Sequence, residues 1–101
     1  MAIVELTIIP VGTGSTSVSQ YVADIQRTLK DTPEPIQYQM TPMSTIIEGD
    51  LEDLLIVLRR LHEVPFHNGA QRVSTSIKID DRRDQISSMQ QKLQSVEDKL
   101  Q

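Results

Sequence analysis

The chain of 101 residues contains no cysteine. That excludes disulfide staples, thiolate zinc sites and a cysteine nucleophile, and it leaves stability to packing. Tryptophan is also absent, and Tyr21, Tyr38 and Phe66 are the whole aromatic complement. A β-sheet that holds RNA bases by stacking needs more rings than this. Positive charge is scarce as well: Lys and Arg number 10 against 14 Asp and Glu, for a net charge of −4. No basic cluster is long enough to release many phosphate counterions, so nucleic acid is disfavoured as a partner. No apolar run approaches the roughly 18 residues of a membrane span. The segment after Met1 has no basic stretch and carries Glu5, which argues against a secretory signal. The expectation is a soluble, cytoplasmic chain with no membrane partner.

What is present reads as one domain over residues 1–101. Ala2, Val4, Leu6 and Ile8 alternate with Ile3, Glu5, Thr7 and Ile9, the period of a strand, which Pro10 ends. Ser15, Thr16 and Ser17 can cap a helix whose apolar face is Val18, Tyr21, Val22, Ile25 and Leu29. Asp31 to Pro35 stops it. Ile36, Tyr38 and Met40, then Met43 to Glu48, predict a hairpin; its turn lacks an Asn-Gly pair, and a single bent strand is the alternative. Leu51, Leu54, Leu55, Leu58 and Leu61 mark a second helix, expected to run to about His62, with Pro65 and Gly69 bracketing a loop. Val73, Thr75, Ile77 and Ile79 alternate with polar residues in a fourth strand.

Ile86, Met89, Leu93, Val96 and Leu100 form a narrow, heptad-like seam on a third helix. The order β-α-β-β-α-β-α predicts an α+β fold, a ferredoxin-like βαββαβ antiparallel sandwich with an extra C-terminal helix. Two helices then cover one sheet face. The other displays Glu5, Thr7, Ser74, Ser76 and Lys78, flanked by Ile3 and Ile9. The third helix must cover that face or a neighbouring subunit, and self-association is the expectation.

Chemistry finds little anchorage. The loop Gly12-Thr13-Gly14-Ser15-Thr16-Ser17 is shaped like an anion cradle, but it lacks the lysine of a P-loop and the third glycine of a dinucleotide fingerprint. A turn and a helix cap account for it. His62 and His67 lie five apart across Pro65, without a metal-ligand spacing. Asp80-Asp81-Arg82-Arg83-Asp84 suits local or intersubunit ion pairs, with an arginine fork for a phosphate or carboxylate as the alternative. An acid/base pair would have to come from Glu5, Glu48, Lys78 and Asp80. Ser44, Thr45 and Glu48 offer a carboxylate beside hydroxyls at one short strand, either a solvated strand end or a small-ligand site.

Four stretches, taken in this order and at these intervals, carry a resemblance: Ile9-Pro10-Val11-Gly12-Thr13-Gly14, Pro42-Met43-Ser44-Thr45-Ile46-Ile47-Glu48-Gly49, Gly69-Ala70-Gln71-Arg72-Val73, and Ile77-Lys78-Ile79-Asp80-Asp81-Arg82-Arg83-Asp84. Together they resemble the YkoF-like thiamine-binding family over nearly the whole chain. The resemblance implies a ferredoxin-like domain, sheets joined edge to edge in a homodimer, and dimers paired into a homotetramer. It also implies binding of thiamine, or of its hydroxymethylpyrimidine precursor, without turnover, cofactor or metal. Carried over position by position, it implies ligand contacts at Ser44, Thr45 and Glu48, with Thr7 from the first strand and Asn68 from its loop. The competing expectation is a structural or regulatory oligomeric module without a thiamine ligand; an enzyme ranks third.

Overall fold

The computed structural model describes residues 1–12, 19–84 and 89–100. Its elements are β1 (Ala2–Pro10), α1 (Ser19–Lys30), β2 (Gln37–Met40), β3 (Thr45–Gly49), α2 (Leu51–His67), β4 (Val73–Asp81) and α3 (Met89–Leu100). The strands form one sheet in the order β2-β3-β1-β4, every neighbour antiparallel. This is the expected ferredoxin-like α+β arrangement with an added C-terminal helix.

Alternation along β1 sets the core. Ala2, Val4 and Leu6 are buried, and the register places Val4 between Ile47 and Ile79 and Leu6 between Thr45 and Ile77. Ile25 and Leu29 of α1 and Leu54, Val57, Leu58 and Leu61 of α2 close over this face. Each such side chain, removed from water, contributes about 1.5–3 kcal/mol. The cover is uneven: Ile77 and Ile79 point to the helix side yet stay 48% and 45% exposed, because β4 is the sheet edge and the helices reach it only partly. A bidentate ion pair ties α2 to the segment before β2, with Arg60 donating to Glu34 at 2.5 and 3.2 Å.

The stretch after Pro35 is a hairpin, not a bent strand: β2 and β3 pair from Gln37 opposite Glu48 to Met40 opposite Thr45. Thr41 shapes its turn. The Thr41 hydroxyl donates to the Ser44 carbonyl at 2.8 Å and accepts from the Ser44 N–H at 3.0 Å, closing the loop over Pro42 and Met43 without any Asn-Gly pair. Pro10 also sits within β1, opposite Val73, where β3 no longer runs alongside and no ladder donor is needed on that side.

α2 extends beyond its expected end near His62. It continues through Pro65 to His67, because a proline in the last turn removes a single intrahelical bond while its ring is fully buried. Gly69, at φ +99°, then ends the helix. Its N–H donates to Phe66 O and the Ala70 N–H to Pro65 O, the paired bonds of a Schellman motif.

The expected anion-cradle loop, beyond Gly12, lies outside the described residues, as do the capping serines and Ile86. α3 is exposed along its described length, with Leu93, Val96 and Leu100 at 63%, 58% and 78%. The ion pair of Lys92 with Asp80 ties it to the body. The apolar seam of the described part of α3 is therefore not buried against the sheet. The radius of gyration, 15.0 Å, exceeds the roughly 13 Å of a compact chain this long.

Candidate functional site

β1 outruns β3. Its pairing with β3 stops at Leu6 opposite Thr45, whereas its pairing with β4 continues to Pro10 opposite Val73. The missing strand leaves a notch beside Thr7, Ile8 and Ile9. Tyr21, Val22 and Ile25 of α1 bound it on one side, and the β2–β3 turn from Met40 to Thr45 on another. The cavity is open on one side and measures about 320 Å³. That is the lower end of the roughly 300–1,000 Å³ of small-molecule pockets.

The lining is apolar with a few neutral hydrogen-bonding groups. Ile8, Ile9, Val22 and Ile25 supply hydrocarbon, Tyr21 an aromatic ring, and Met40 and Met43 thioethers that suit contact with a flat ring. The hydroxyls of Thr7, Thr41, Ser44 and Thr45 and the phenol of Tyr21 are the side chains able to orient a heterocycle. No acid or base is among the described lining residues. A charge enters indirectly: the Ser44 hydroxyl donates to the Glu5 carboxylate at 3.3 Å, on the sheet face away from α1 and α2.

Of the five residues expected at a ligand site, the structure brings Thr7, Ser44 and Thr45 together at this cavity. Glu48 is elsewhere. It projects opposite the core residue Ile47, is 5% exposed, and lies between Ile3 of β1 and Gln37 of β2. Asn68 caps α2 and donates from Nδ2 to Asp24 Oδ2 at 2.8 Å. It lines a separate groove with Gly12, Tyr21 and Gly69, and Tyr21 is the residue that this groove shares with the main cavity. Tyr21, Met40, Met43 and Thr41 were not singled out from sequence. A tyrosine at helical spacing reads as core, Met40 reads as a strand residue, and Met43, though it stands in a family-like stretch, is not among the contacts the resemblance implies.

The remaining candidates resolve into structure. His62 Nδ1 meets Thr75 Oγ1 at 2.7 Å and packs its ring edge-on to Phe66, joining α2 to β4. Arg82 pairs with Asp84 at 2.7 Å and Arg83 with Asp81 at 2.8 Å, so both forks engage local carboxylates. Glu5 and Lys78 face one another across β1 and β4, while Glu48 and Asp80 flank Ile3. Among the described residues no group of three His, Cys, Asp or Glu is arranged to hold a metal. No described helix is long and apolar enough to cross a membrane.

The chain is similar to several known proteins along nearly its whole length. The UPF0045 protein YqgV of Bacillus subtilis is 50% identical over 103 residues, covering 100% of this chain and 99% of that one. A UPF0045 protein of Staphylococcus xylosus is 52% identical over 99 residues, covering 96% of this chain and 92% of that one. Among solved structures, a hypothetical protein of Methanocaldococcus jannaschii superposes with a TM-score of 0.82 at 32% identity, covering 95% of each chain. The family model described as thiamine-binding protein matches residues 4–97, which include both sides of the cavity, and the chain belongs to that family.

Proposed function

We propose that the chain binds thiamine or a related hydroxymethylpyrimidine compound, without turnover, as a cytoplasmic homo-oligomer. The observation that carries this reading is the notch beyond the end of β3. It is a preformed, largely apolar cavity with hydroxyl-bearing residues along its wall, in a chain whose family is named for thiamine binding. Thr7, Ser44 and Thr45 orient the ring by hydrogen bonds, and Tyr21, Met40 and Met43 pack against its faces. Glu48 and Asn68 make no contact in the cavity of a single chain. The absence of charge from the described lining suits holding a ring more than activating a reacting atom, which supports binding over catalysis.

Titration calorimetry and thermal unfolding with thiamine test the reading. Bound ligand stabilises by mass action, by about 2.7 kcal/mol when its concentration is 100 times Kd. A rise in Tm at millimolar thiamine, lost in Val22→Trp, is the expected result; Val22 lines the cavity at 40% exposure, so a larger ring there fills the space without entering the core. The absence of both binding heat and stabilisation at that concentration overturns it.

Self-association rests on a separate observation. An isolated helix of 12 residues is marginal in water, yet α3 keeps its apolar seam exposed. β4 offers nine residues of unpaired sheet edge. A second copy supplies cover for both, in keeping with dimers joined edge to edge and paired into a tetramer.

A further inference from the structure

We infer that Glu5 is a specificity-determining residue of the cavity, reading the charge of the part of the ligand that projects from it. It favours a cationic substituent and rejects a phosphorylated one. The inference rests on the reading of the cavity as a thiamine-related site and goes beyond it by naming which forms of the ligand are taken.

The cavity, about 320 Å³ and open on one side, has room for most of a two-ring ligand, so the charge of its lining sets which half sits deepest. The described lining carries no charge, which makes it a home for the uncharged aminopyrimidine half; a thiazolium there would lose its hydration without compensation. Residues 13–18, which follow β1 in sequence, contain no Lys, Arg, Asp or Glu either.

The outer half then meets whatever charge stands at the rim. The Glu5 carboxylate is one such charge, held one hydrogen bond from the cavity wall by the Ser44 hydroxyl at 3.3 Å. Glu5 is exposed and adjoins Ile46 on β3 and Lys78 on β4 by register. The hydrogen bond draws its carboxylate toward β3 and the cavity, away from the β4 side where Lys78 stands. A cationic ring near this carboxylate is attracted. A phosphate or diphosphate tail at the same place is repelled and finds no lysine or arginine among the described lining residues to receive it.

The test is calorimetry on the wild type and on Glu5→Gln, with four probes: thiamine, its aminopyrimidine alcohol, its thiazole alcohol and thiamine diphosphate. Glu5→Gln keeps an acceptor for Ser44 and removes the charge at an exposed position, and its thermal unfolding in the absence of ligand reports whether the fold is kept. The wild type is expected to bind thiamine and the aminopyrimidine alcohol, the thiazole alcohol far more weakly, and the diphosphate at least about tenfold more weakly than thiamine. In Glu5→Gln, thiamine weakens by about threefold to tenfold, the aminopyrimidine alcohol stays within about twofold, and the diphosphate gap narrows. Equal loss for thiamine and the uncharged alcohol overturns the charge-reading role, as does diphosphate binding as tight as that of thiamine. If no probe binds the wild type, the reading of the cavity itself fails, and the inference with it.

Discussion

Gly69 holds a φ of +99°, a backbone conformation that a side chain resists. Open space surrounds the position where a β-carbon would stand, so the cost of Gly69→Ala lies in the backbone and not in a clash. Loss of the Schellman motif at the end of α2 is expected to lower stability by about 1 kcal/mol, measured as a shift in the midpoint of urea unfolding. The sequence marked Gly69 as a loop residue but not as the hinge of a helix cap, because its role depends on where α2 ends, two residues past an internal proline. The same limit applies at the cavity. Ser44 and Thr45, which stand in a family-like stretch, and Thr7, expected from the first strand, are among the residues that line it. Tyr21, Met40 and Met43 were not legible there, since their part in the site arises only when β1 overhangs β3 and the hairpin turn faces α1.

At the scale of elements, the strands and the first two helices were legible because apolar periodicity and burial agree: Val4, Leu6 and Ile47 alternate into the core, and Leu54, Leu58 and Leu61 share one helix stripe. The end of α2 was not, because the local rule against proline yields when the residue falls in the last turn and its ring is packed. Between elements, the Arg60 guanidinium, through its hydrogen bonds, holds the Glu34 carboxyl below its ordinary value of 4.5, and Arg60 is raised in turn. A carboxyl lowered in the folded state binds protons less readily than in the unfolded chain. Its stabilising contribution is therefore complete above that ordinary value and is lost as pH falls through the folded-state value. Glu34→Gln removes this dependence. The difference in Tm between wild type and Glu34→Gln is expected to be largest near neutral pH and to shrink as melts are run from about pH 7 down to about pH 3. A difference that stays constant over that range would mean that the ion pair does not anchor the segment before β2.

At the scale of the whole molecule, the exposed seam of α3 decides whether the chain is complete alone. If copies cover one another there, Leu93→Glu with Val96→Glu shifts the sedimenting species at micromolar concentration toward a monomer, while the melting of the βαββαβ body changes little. A wild type that sediments as a monomer would remove the case for assembly and leave the cavity untouched. The topology was legible from element order, but the fate of α3 was not: a heptad-like seam specifies that a partner surface exists and is silent on which one.

The overhang of β1 past β3 carries one more consequence. Every described residue that lines the cavity falls between Thr7 and Thr45, whereas the unpaired edge of β4 and the seam of α3 belong to the later part of the chain. The cavity wall and these two uncovered surfaces are thus written in separate stretches of the polypeptide, so substitutions in one leave the residues of the other unchanged.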